Sequence, residues 1–274
     1  MNYLQSLFNL ENKTAVLTGG GGILASEMAK GFLLAGAKVV LLDISEKNLN
    51  EKVDLLKQHS KDVIGLKCNV LDRENINNVN NEILKRFNHI DILVNAAGGN
   101  MPGATVALDK TVFDLEIDQF QKVTDLNLNG TVLPTLIFGK TMASQKSGSI
   151  INISSMAVSR AITRVVGYSA AKAAIDNFTR WMAVEMASKF GNGIRVNAIA
   201  PGFLLTEQNR TLLTNEDGSL TERGHKIIDI TPFKRFGDPD ELIGPVLWLA
   251  SDASKFVTGT IIPIDGGFSA FSGV

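Results

Sequence analysis

Short apolar runs alternate with amphipathic segments along most of the chain. The run at 13–20 ends in glycines, the segment 23–38 carries apolar residues at helical spacing, and a second apolar run follows at 39–43. Strand, helix and strand in this order, within roughly thirty residues, are typical of a βαβ unit. The start of the chain is therefore predicted to form one such unit.

The same alternation continues to the end of the chain. Continuous apolar strands between helices indicate a parallel sheet covered on both faces. We predict an α/β fold, a single Rossmann-type, doubly wound domain over residues 1–274, with a parallel sheet of about seven strands and helices on both faces. The further predicted strands are 62–70, 91–98, 148–155, 194–202 and 259–267, and the further predicted helices are 73–87, 118–144, 168–190 and 239–251.

One segment, 203–230, interrupts this alternation. It is long, polar and rich in helix-forming residues, and it lies between the sixth predicted strand and the last predicted helix. Long insertions after the carboxyl end of a strand are often lids. We predict that this segment closes over the substrate.

Composition argues against several classes of partner. The net charge is −1 with no basic run, which disfavours nucleic acid, and no apolar run is long enough to cross a membrane. The amino-terminal residues lack the pattern of a signal peptide. The chain has one cysteine, Cys68, and its three histidines lack metal-ligand spacing. These features favour a cytoplasmic protein without an internal disulfide or a metal site.

The glycine-rich stretch TGGGGILA, 18–25, follows the first predicted strand and opens the first predicted helix. Gly20, Gly22 and Ala25 match the spacing G-x-G-x-x-A, which is weak alone but gains weight from this strand–turn–helix setting. Glycines let the backbone approach a pyrophosphate, and the start of a helix offers free N–H groups and a positive dipole end. The stretch predicts a dinucleotide site.

Asp43 ends the second predicted strand, where a carboxylate can accept hydrogen bonds from both hydroxyls of a ribose. The same carboxylate would repel a 2′-phosphate, and no arginine follows it directly. This position therefore favours NAD over NADP. The alternative is that Asp43 only caps the next helix, for which Ser45 is a competing cap.

The pentapeptide YSAAK places Tyr168 and Lys172 on one face of a predicted helix. An ammonium group beside a tyrosine favours the phenolate and lowers its pKa, which suits proton transfer near neutral pH. Ser155 ends the strand before this helix and could hydrogen-bond the same substrate oxygen. The alternative is a half-buried tyrosine beside a solvated lysine, and the pentapeptide alone does not exclude it.

In combination these residues resemble the short-chain dehydrogenase/reductase family over nearly the whole chain. The resemblance rests on the glycine-rich turn, on the set Asn127, Ser155, Tyr168 and Lys172, and on the motifs NAAG (95–98), NAIAPG (197–202) and DGG (265–267). The chain departs from the family pattern in a turn one residue shorter that ends in Ala25, and in Asn69, where the family often has aspartate.

The resemblance implies an enzyme and assigns roles. Tyr168 would be the general acid/base, Ser155 would orient the substrate oxygen, Lys172 would also hold the nicotinamide ribose, and the counterpart of Asn127 positions a proton-relaying water. The implied cofactor is NAD. Its expected contacts are Gly19, Gly20, Gly22, Ile23, Leu24, Asp43, Asn69, Val70, Asn95, Ala96, Ala97, Gly98, Tyr168, Lys172, Pro201, Gly202 and Thr206.

Within the family, stretches such as NAAGGN (95–100) and AIAPGFLLTEQNR (198–210) are similar to the D-mannonate oxidoreductase (fructuronate reductase) branch. That resemblance implies D-mannonate and D-fructuronate as substrates and a homotetramer. A related sugar-acid or polyol dehydrogenase, such as a gluconate 5-dehydrogenase, is an alternative. A protein that senses NAD(H) without turnover is a third reading, which the intact Ser155, Tyr168 and Lys172 disfavour.

Substrate contacts are expected from the polar loops after the fourth, fifth and sixth strands. The candidates there include Asn100, Ser155, Asn209 and, in the lid, Glu207 and Gln208. A sugar acid needs a cation for its carboxylate. Arg164, one helical turn before Tyr168, is the first candidate, and Arg210 in the lid is the second.

Overall fold

The computed structural model describes residues 2–206 and 209–273, which form an α/β fold around one parallel sheet. Its strand order is β3-β2-β1-β4-β5-β6-β7, and every paired neighbour is parallel. This confirms the predicted doubly wound sheet of seven strands. The strands are Thr14–Thr18 (β1), Lys38–Asp43 (β2), Val63–Lys67 (β3), Ile92–Asn95 (β4), Gly148–Ile153 (β5), Ile194–Pro201 (β6) and Ile261–Ile264 (β7).

Helices cover both faces of the sheet and also form the segment between β6 and β7. In the described ranges they are Tyr3–Phe8 (α1), Ile23–Leu34 (α2), Glu46–Leu56 (α3), Arg73–Phe87 (α4), Ile117–Thr124 (α5), Gly130–Gln145 (α6), Val166–Phe190 (α7), Arg210–Leu213 (α8), Glu222–Ile230 (α9) and Ile243–Ala250 (α10). Within these ranges no helix is long and apolar enough to cross a membrane.

The core consists of two apolar clusters, one on each face of the sheet. Neighbouring residues of β1 show the division, because Leu17 belongs to the cluster with residues of α2, α3 and α10, whereas Val16 belongs to the cluster with residues of α4, α6 and α7. Successive side chains of a strand point to opposite faces, so a strand buried on both faces must be apolar throughout. This explains why the strands of this chain are continuous apolar runs.

The single helix predicted over 118–144 is interrupted in the structure. It consists of α5, a π-helical turn at Asp125–Asn129, and α6. The turn includes Asn127, which is fully buried and donates from Nδ2 to the carbonyl oxygen of Val123 at 2.8 Å. A π-turn within an α-helix is frequent at functional sites. Apolar periodicity cannot reveal it, because the helical pattern resumes on the far side.

Parallel pairing brings the carboxyl ends of the central strands to one edge of the sheet. Thr18 at the end of β1 pairs with Leu42 of β2 and with Asn95 of β4, and Asn95 pairs with Asn152 of β5. The chain leaves β1 towards β2 on one side and enters β4 on the other, so the sheet order reverses beside β1. Ligands of doubly wound sheets bind in the crevice at such a point.

Removal of a buried ring on α6 should destabilise the fold. Phe138 is fully buried, and Phe138→Ala should lower the free energy of unfolding by about 3–5 kcal/mol. Leu136→Ala on the same helix is the matched control, because Leu136 is 46% exposed. Urea denaturation followed by circular dichroism measures both, and equal losses would contradict the assigned core.

Candidate active site

A cleft of about 830 Å³ lies at the carboxyl edge of the sheet. It reaches from the glycine-rich turn after β1 to the segment that contains α8 and α9. Many of the predicted site residues line it, namely Gly19, Gly22, Ile23, Leu24, Asp43, Asn69, Val70, Ala96, Ala97, Gly98, Asn100, Ser155, Tyr168, Pro201, Gly202, Thr206 and Asn209. Residues far apart in the chain are therefore brought to one surface.

The glycine-rich turn packs tightly against the loop after β4. Gly19 has φ +66°, and a Cβ there would lie 2.8 Å from the Cα of Ala97. The Thr18 hydroxyl accepts hydrogen bonds from the N–H groups of Ala96 and Ala97, both at 3.0 Å. Gly22 precedes the first turn of α2 without a side-chain cap. At this end of the cleft the backbone is tightly packed and the start of α2 has no side-chain cap. Both features fit the binding of a dinucleotide pyrophosphate.

Asp43 joins the glycine-rich turn to the start of α3. Its Oδ2 accepts from the N–H of Gly21 at 2.9 Å, and its Oδ1 accepts from the N–H of Ser45 at 2.8 Å. The side chain that caps α3 is Ser45, whose Oγ accepts from Asn48. A carboxylate has about four lone-pair sites, so Asp43 keeps acceptor capacity towards the cleft. This geometry fits a ribose diol better than the capping alternative.

Three predicted cofactor contacts, Gly20, Asn95 and Lys172, are not among the residues that line the cleft. A Cβ on Gly20 would lie 2.6 Å from the Cβ of Leu41, so Gly20 serves the close packing of the turn on β2. Asn95 is buried, and its Nδ2 donates to Thr135 and Asn152, each at 2.8 Å. Its side chain ties β4 to β5 and α6. The side-chain positions of Gly20 and Asn95 face the core, and direct cofactor contacts of these two residues stay predictions.

Ser155 and Tyr168 both line the cleft. Burial raises the pKa of Tyr168, and the hydrogen bond with Ser155 opposes that rise. The pKa of Tyr168 is therefore raised, and the lowered tyrosine pKa expected from the sequence is not found. Tyr168 is therefore held in its protonated form, ready to donate a proton to a carbonyl oxygen.

Lys172 is buried behind Tyr168 and does not line the cleft directly. Its Nζ lies 5.5 Å from the centre of the Tyr168 ring and donates to the carbonyl oxygen of Ile153 at 2.7 Å. Burial lowers the pKa of Lys172 from 10.5 to about 8, and the nearby Asp176 carboxylate opposes that shift. The alternative of a solvated lysine is excluded, since only 4% of Lys172 is exposed.

Asn127 holds the loop after β4 in place. Its Oδ1 accepts from the N–H of Gly99 at 3.0 Å, and its Nδ2 donates to the carbonyl oxygen of Gly99 at 2.8 Å. A Cβ on Gly98, whose φ is +152°, would lie 2.6 Å from that Oδ1. The amide is thus occupied by protein groups, and a water-positioning role for Asn127 stays a prediction.

Sequence reasoning missed Asp176, which lies one helical turn after Lys172 on α7. Asp176 is buried, and its carboxylate accepts a short hydrogen bond from the hydroxyl of Ser154. Burial raises the pKa of Asp176, whereas Ser154, Arg180 and Lys172 lower it. The spacing 168, 172 and 176 was the available signal, because residues four apart share a helix face.

The predicted arginines do not line the cleft. Arg164 has φ +75° and donates from Nε to the carbonyl oxygen of Val106 at 2.6 Å, which points its guanidinium at a neighbouring loop. Arg210 is exposed at the start of α8. The arginine that lines the cleft is Arg223 of α9, which no sequence motif distinguishes from its neighbours. Glu207 and Gln208 lie outside the described residues.

Within the described ranges, no group of three or more histidine, cysteine, aspartate or glutamate side chains could hold a metal ion. Cys68 is a buried free thiol at the cleft wall, and burial raises its pKa to about 11. A thiol with such a pKa is a poor nucleophile at neutral pH. Acid–base chemistry in the cleft therefore centres on Tyr168 and its neighbours.

Comparisons with known proteins agree with this site. A family model described as enoyl-(acyl carrier protein) reductase matches residues 22–269. The chain is 44% identical to an uncharacterised oxidoreductase of Bacillus subtilis named UxuB, over 97% of this chain and 98% of that one. The chain therefore belongs to the short-chain dehydrogenase/reductase family, as its motifs predicted, and is an oxidoreductase.

Two solved structures are similar over nearly their whole length. A proposed D-mannonate oxidoreductase from Haemophilus influenzae, with bound NAD, has a TM-score of 0.91 and 43% identity, covering 99% of this chain and 100% of that one. A gluconate 5-dehydrogenase from Burkholderia cenocepacia, with NADP and tartrate, has a TM-score of 0.86 and 29% identity, covering 98% and 99%. The activity proposed for the first of these proteins agrees with the branch that the sequence resembles.

Removal of the Asp176 charge should shift the pH dependence of the enzyme. Asp176→Asn deletes the carboxylate that raises the pKa of Lys172, so that pKa should fall below about 8. If the ammonium form of Lys172 supports Tyr168, the alkaline limb of kcat/KM at saturating NADH should move to lower pH. Glu185→Gln on the same helix is the control, and an alkaline limb that coincides in both variants would refute this coupling.

Proposed function

We propose that this chain is an NAD(H)-dependent oxidoreductase that interconverts D-mannonate and D-fructuronate. The observation that supports it most is one continuous cleft that joins Tyr168 and Ser155 to the glycine-rich turn and Asp43. A proton donor thus faces the same space as the dinucleotide end. Such an arrangement has no evident use in a protein that only senses NAD(H).

Reduction of a ketone adds a hydride to the carbonyl carbon and a proton to the carbonyl oxygen, and oxidation of the alcohol removes both. NAD(H), when bound, supplies or accepts the hydride. Tyr168 donates or accepts the proton at the substrate oxygen, and Ser155 hydrogen-bonds that oxygen while negative charge develops on it. Lys172, whose Nζ lies 5.5 Å from the centre of the Tyr168 ring, has in this proposal the other role that the resemblance implies, a contact to the nicotinamide ribose. In this proposal Asn127 is a positioning residue, because its contacts are to the backbone of Gly99.

The proposed substrate class rests on the resemblance to the D-mannonate oxidoreductase branch and on three polar side chains of the cleft. Asn100, Asn209 and Arg223 are among the residues that line it. The hydroxyl groups and the carboxylate of a sugar acid can form hydrogen bonds with amide and guanidinium groups. A gluconate 5-dehydrogenase is the second candidate, because a relative of that activity has the same fold and similar coverage.

The proposal extends to the organisation of the protein. We regard 1–274 as one domain in which 203–230, with α8 and α9, is a lid, and we place the enzyme in the cytoplasm as a homotetramer. Trp181 and Val184 on α7 are 59% and 68% exposed, which suits an interface with another subunit. Light scattering of the purified protein measures the number of subunits. A monomeric protein would contradict the proposed homotetramer.

The substrate is tested by the oxidation of NADH with fructuronate, tagaturonate, 5-ketogluconate and neutral ketoses. Fructuronate should give the highest kcat/KM. Tyr168→Phe should lower kcat about a hundred- to ten-thousandfold while NADH binding stays near normal, because only the proton donor is lost. A Tyr168→Phe variant with ordinary turnover would remove Tyr168 from the mechanism, and a clear preference for 5-ketogluconate would favour the second candidate.

Cofactor choice is tested by Asp43→Ala. The loss of a ribose acceptor should weaken NADH binding, and the loss of the negative charge should relax discrimination against NADPH. Fluorescence titration with both cofactors measures this. An unaltered protein that binds NADPH more tightly than NADH would contradict the role given to Asp43.

A further inference from the structure

Few charged side chains line the cleft. Among the lining residues that the structure describes, the charged side chains are Asp43 and Arg223. Asp43 belongs to the dinucleotide end, where it contacts the glycine-rich turn. Arg223 comes from α9, in the segment that separates β6 from β7. Arg223 is thus the cation that this part of the chain offers to a ligand in the cleft.

The backbone beneath Arg223 is held firmly. Thr221 caps α9 by accepting from the N–H of Gly224 at 3.1 Å. A Cβ on Gly224 would lie 2.3 Å from the carbonyl oxygen of Leu213, so α9 packs directly on α8. Ile227, one turn further, is buried. These contacts fix the backbone position from which the Arg223 side chain extends.

The guanidinium of Arg223 has no protein partner in the ranges 2–206 and 209–273, where it makes no hydrogen bond and no ion pair. Its neighbour Glu222 is already paired with Lys226 at 2.5 Å. Arg223 is a partly exposed residue, and a guanidinium without a protein partner leaves its five N–H donors for water or a ligand. Because the residue lines the cleft, that ligand is expected in the cleft.

Other arginines around the cleft are already engaged by the protein. Arg160 donates to the carbonyl oxygens of Ser269 and Phe271, and so holds the carboxyl-terminal segment on its own chain. Arg164 donates to the carbonyl oxygen of Val106. Arg235 forms a bidentate ion pair with Glu241, with N–O distances of 2.7 and 2.6 Å. These groups serve the fold, whereas the contacts of Arg223 leave it available.

We propose that Arg223 is the specificity residue that binds the carboxylate of the substrate, at the end opposite the carbonyl carbon beside Tyr168. This inference rests on the proposed function for its substrate, a sugar acid. The planar guanidinium matches a carboxylate with two parallel hydrogen bonds, which selects acids over neutral sugars of equal length. It replaces Arg164 and Arg210 as the anchor and gives α9 a direct part in substrate choice.

The test compares Arg223→Met with unaltered enzyme on fructuronate and on D-fructose, its neutral analogue. Methionine keeps an unbranched apolar stem and removes the charge. The kcat/KM for fructuronate should fall about ten- to a hundredfold, whereas that for fructose should change little. Lys226→Met is the matched control, because Lys226 lies on the same helix, is exposed and does not line the cleft. It should leave both values near those of the unaltered enzyme.

Fluorescence titration with NADH separates the anchor from a cofactor contact. An unchanged NADH affinity in Arg223→Met, together with the selective loss on fructuronate, supports the anchor. Equal losses on both substrates, or weaker NADH binding without substrate selectivity, would overturn it.

The outcome also distinguishes this inference from the proposed function. If the unaltered enzyme prefers another acid, such as 5-ketogluconate, and Arg223→Met loses activity on that acid selectively, the anchor stands and the D-fructuronate assignment fails. If the unaltered enzyme reduces only neutral ketoses, both the anchor and the sugar-acid function are wrong.

Discussion

The parallel pairing of the central strands is the constraint on which the site depends. Because β1, β2, β4, β5 and β6 run in the same direction, their carboxyl ends meet at one edge. The turn after each strand therefore opens into the same cleft, although the residues come from distant parts of the chain. The Thr18 hydroxyl at the end of β1 accepts hydrogen bonds from the N–H groups of Ala96 and Ala97, and so connects the turn after β1 to the turn after β4.

Burial and charge oppose each other on α7. Burial raises the pKa of Tyr168 and lowers the pKa of Lys172, because desolvation disfavours the charged form of each side chain. The carboxylate of Asp176, one helical turn after Lys172, opposes the lowering of the Lys172 pKa. The hydroxyl of Ser154 donates a hydrogen bond to this carboxylate. The spacing of Tyr168 and Lys172 alone predicted a lowered tyrosine pKa, because it took no account of the surrounding desolvation.

The motifs predicted the residues that line the dinucleotide end better than those at the substrate end. Gly19, Gly22 and Asp43 lie where their pattern places them, since a strand–turn–helix unit is local in the chain. Gly20 and Asn95 belong to the same motifs but face the core, and no motif states which side of a turn a residue faces. The motifs did not predict a role for Arg223, because a lone arginine in a polar segment has no sequence signature.

The sequence by itself determined the alternation of strands and helices, the doubly wound sheet, the family and the glycine-rich turn, because apolar periodicity and short motifs are local properties. Tertiary structure decided the π-turn at Asn127, the burial that sets the pKa values of Tyr168 and Lys172, and the choice among the arginines. Those features depend on which groups from distant elements surround a side chain. Desolvation and pairing are consequences of that assembly, so a pattern along the chain does not contain them.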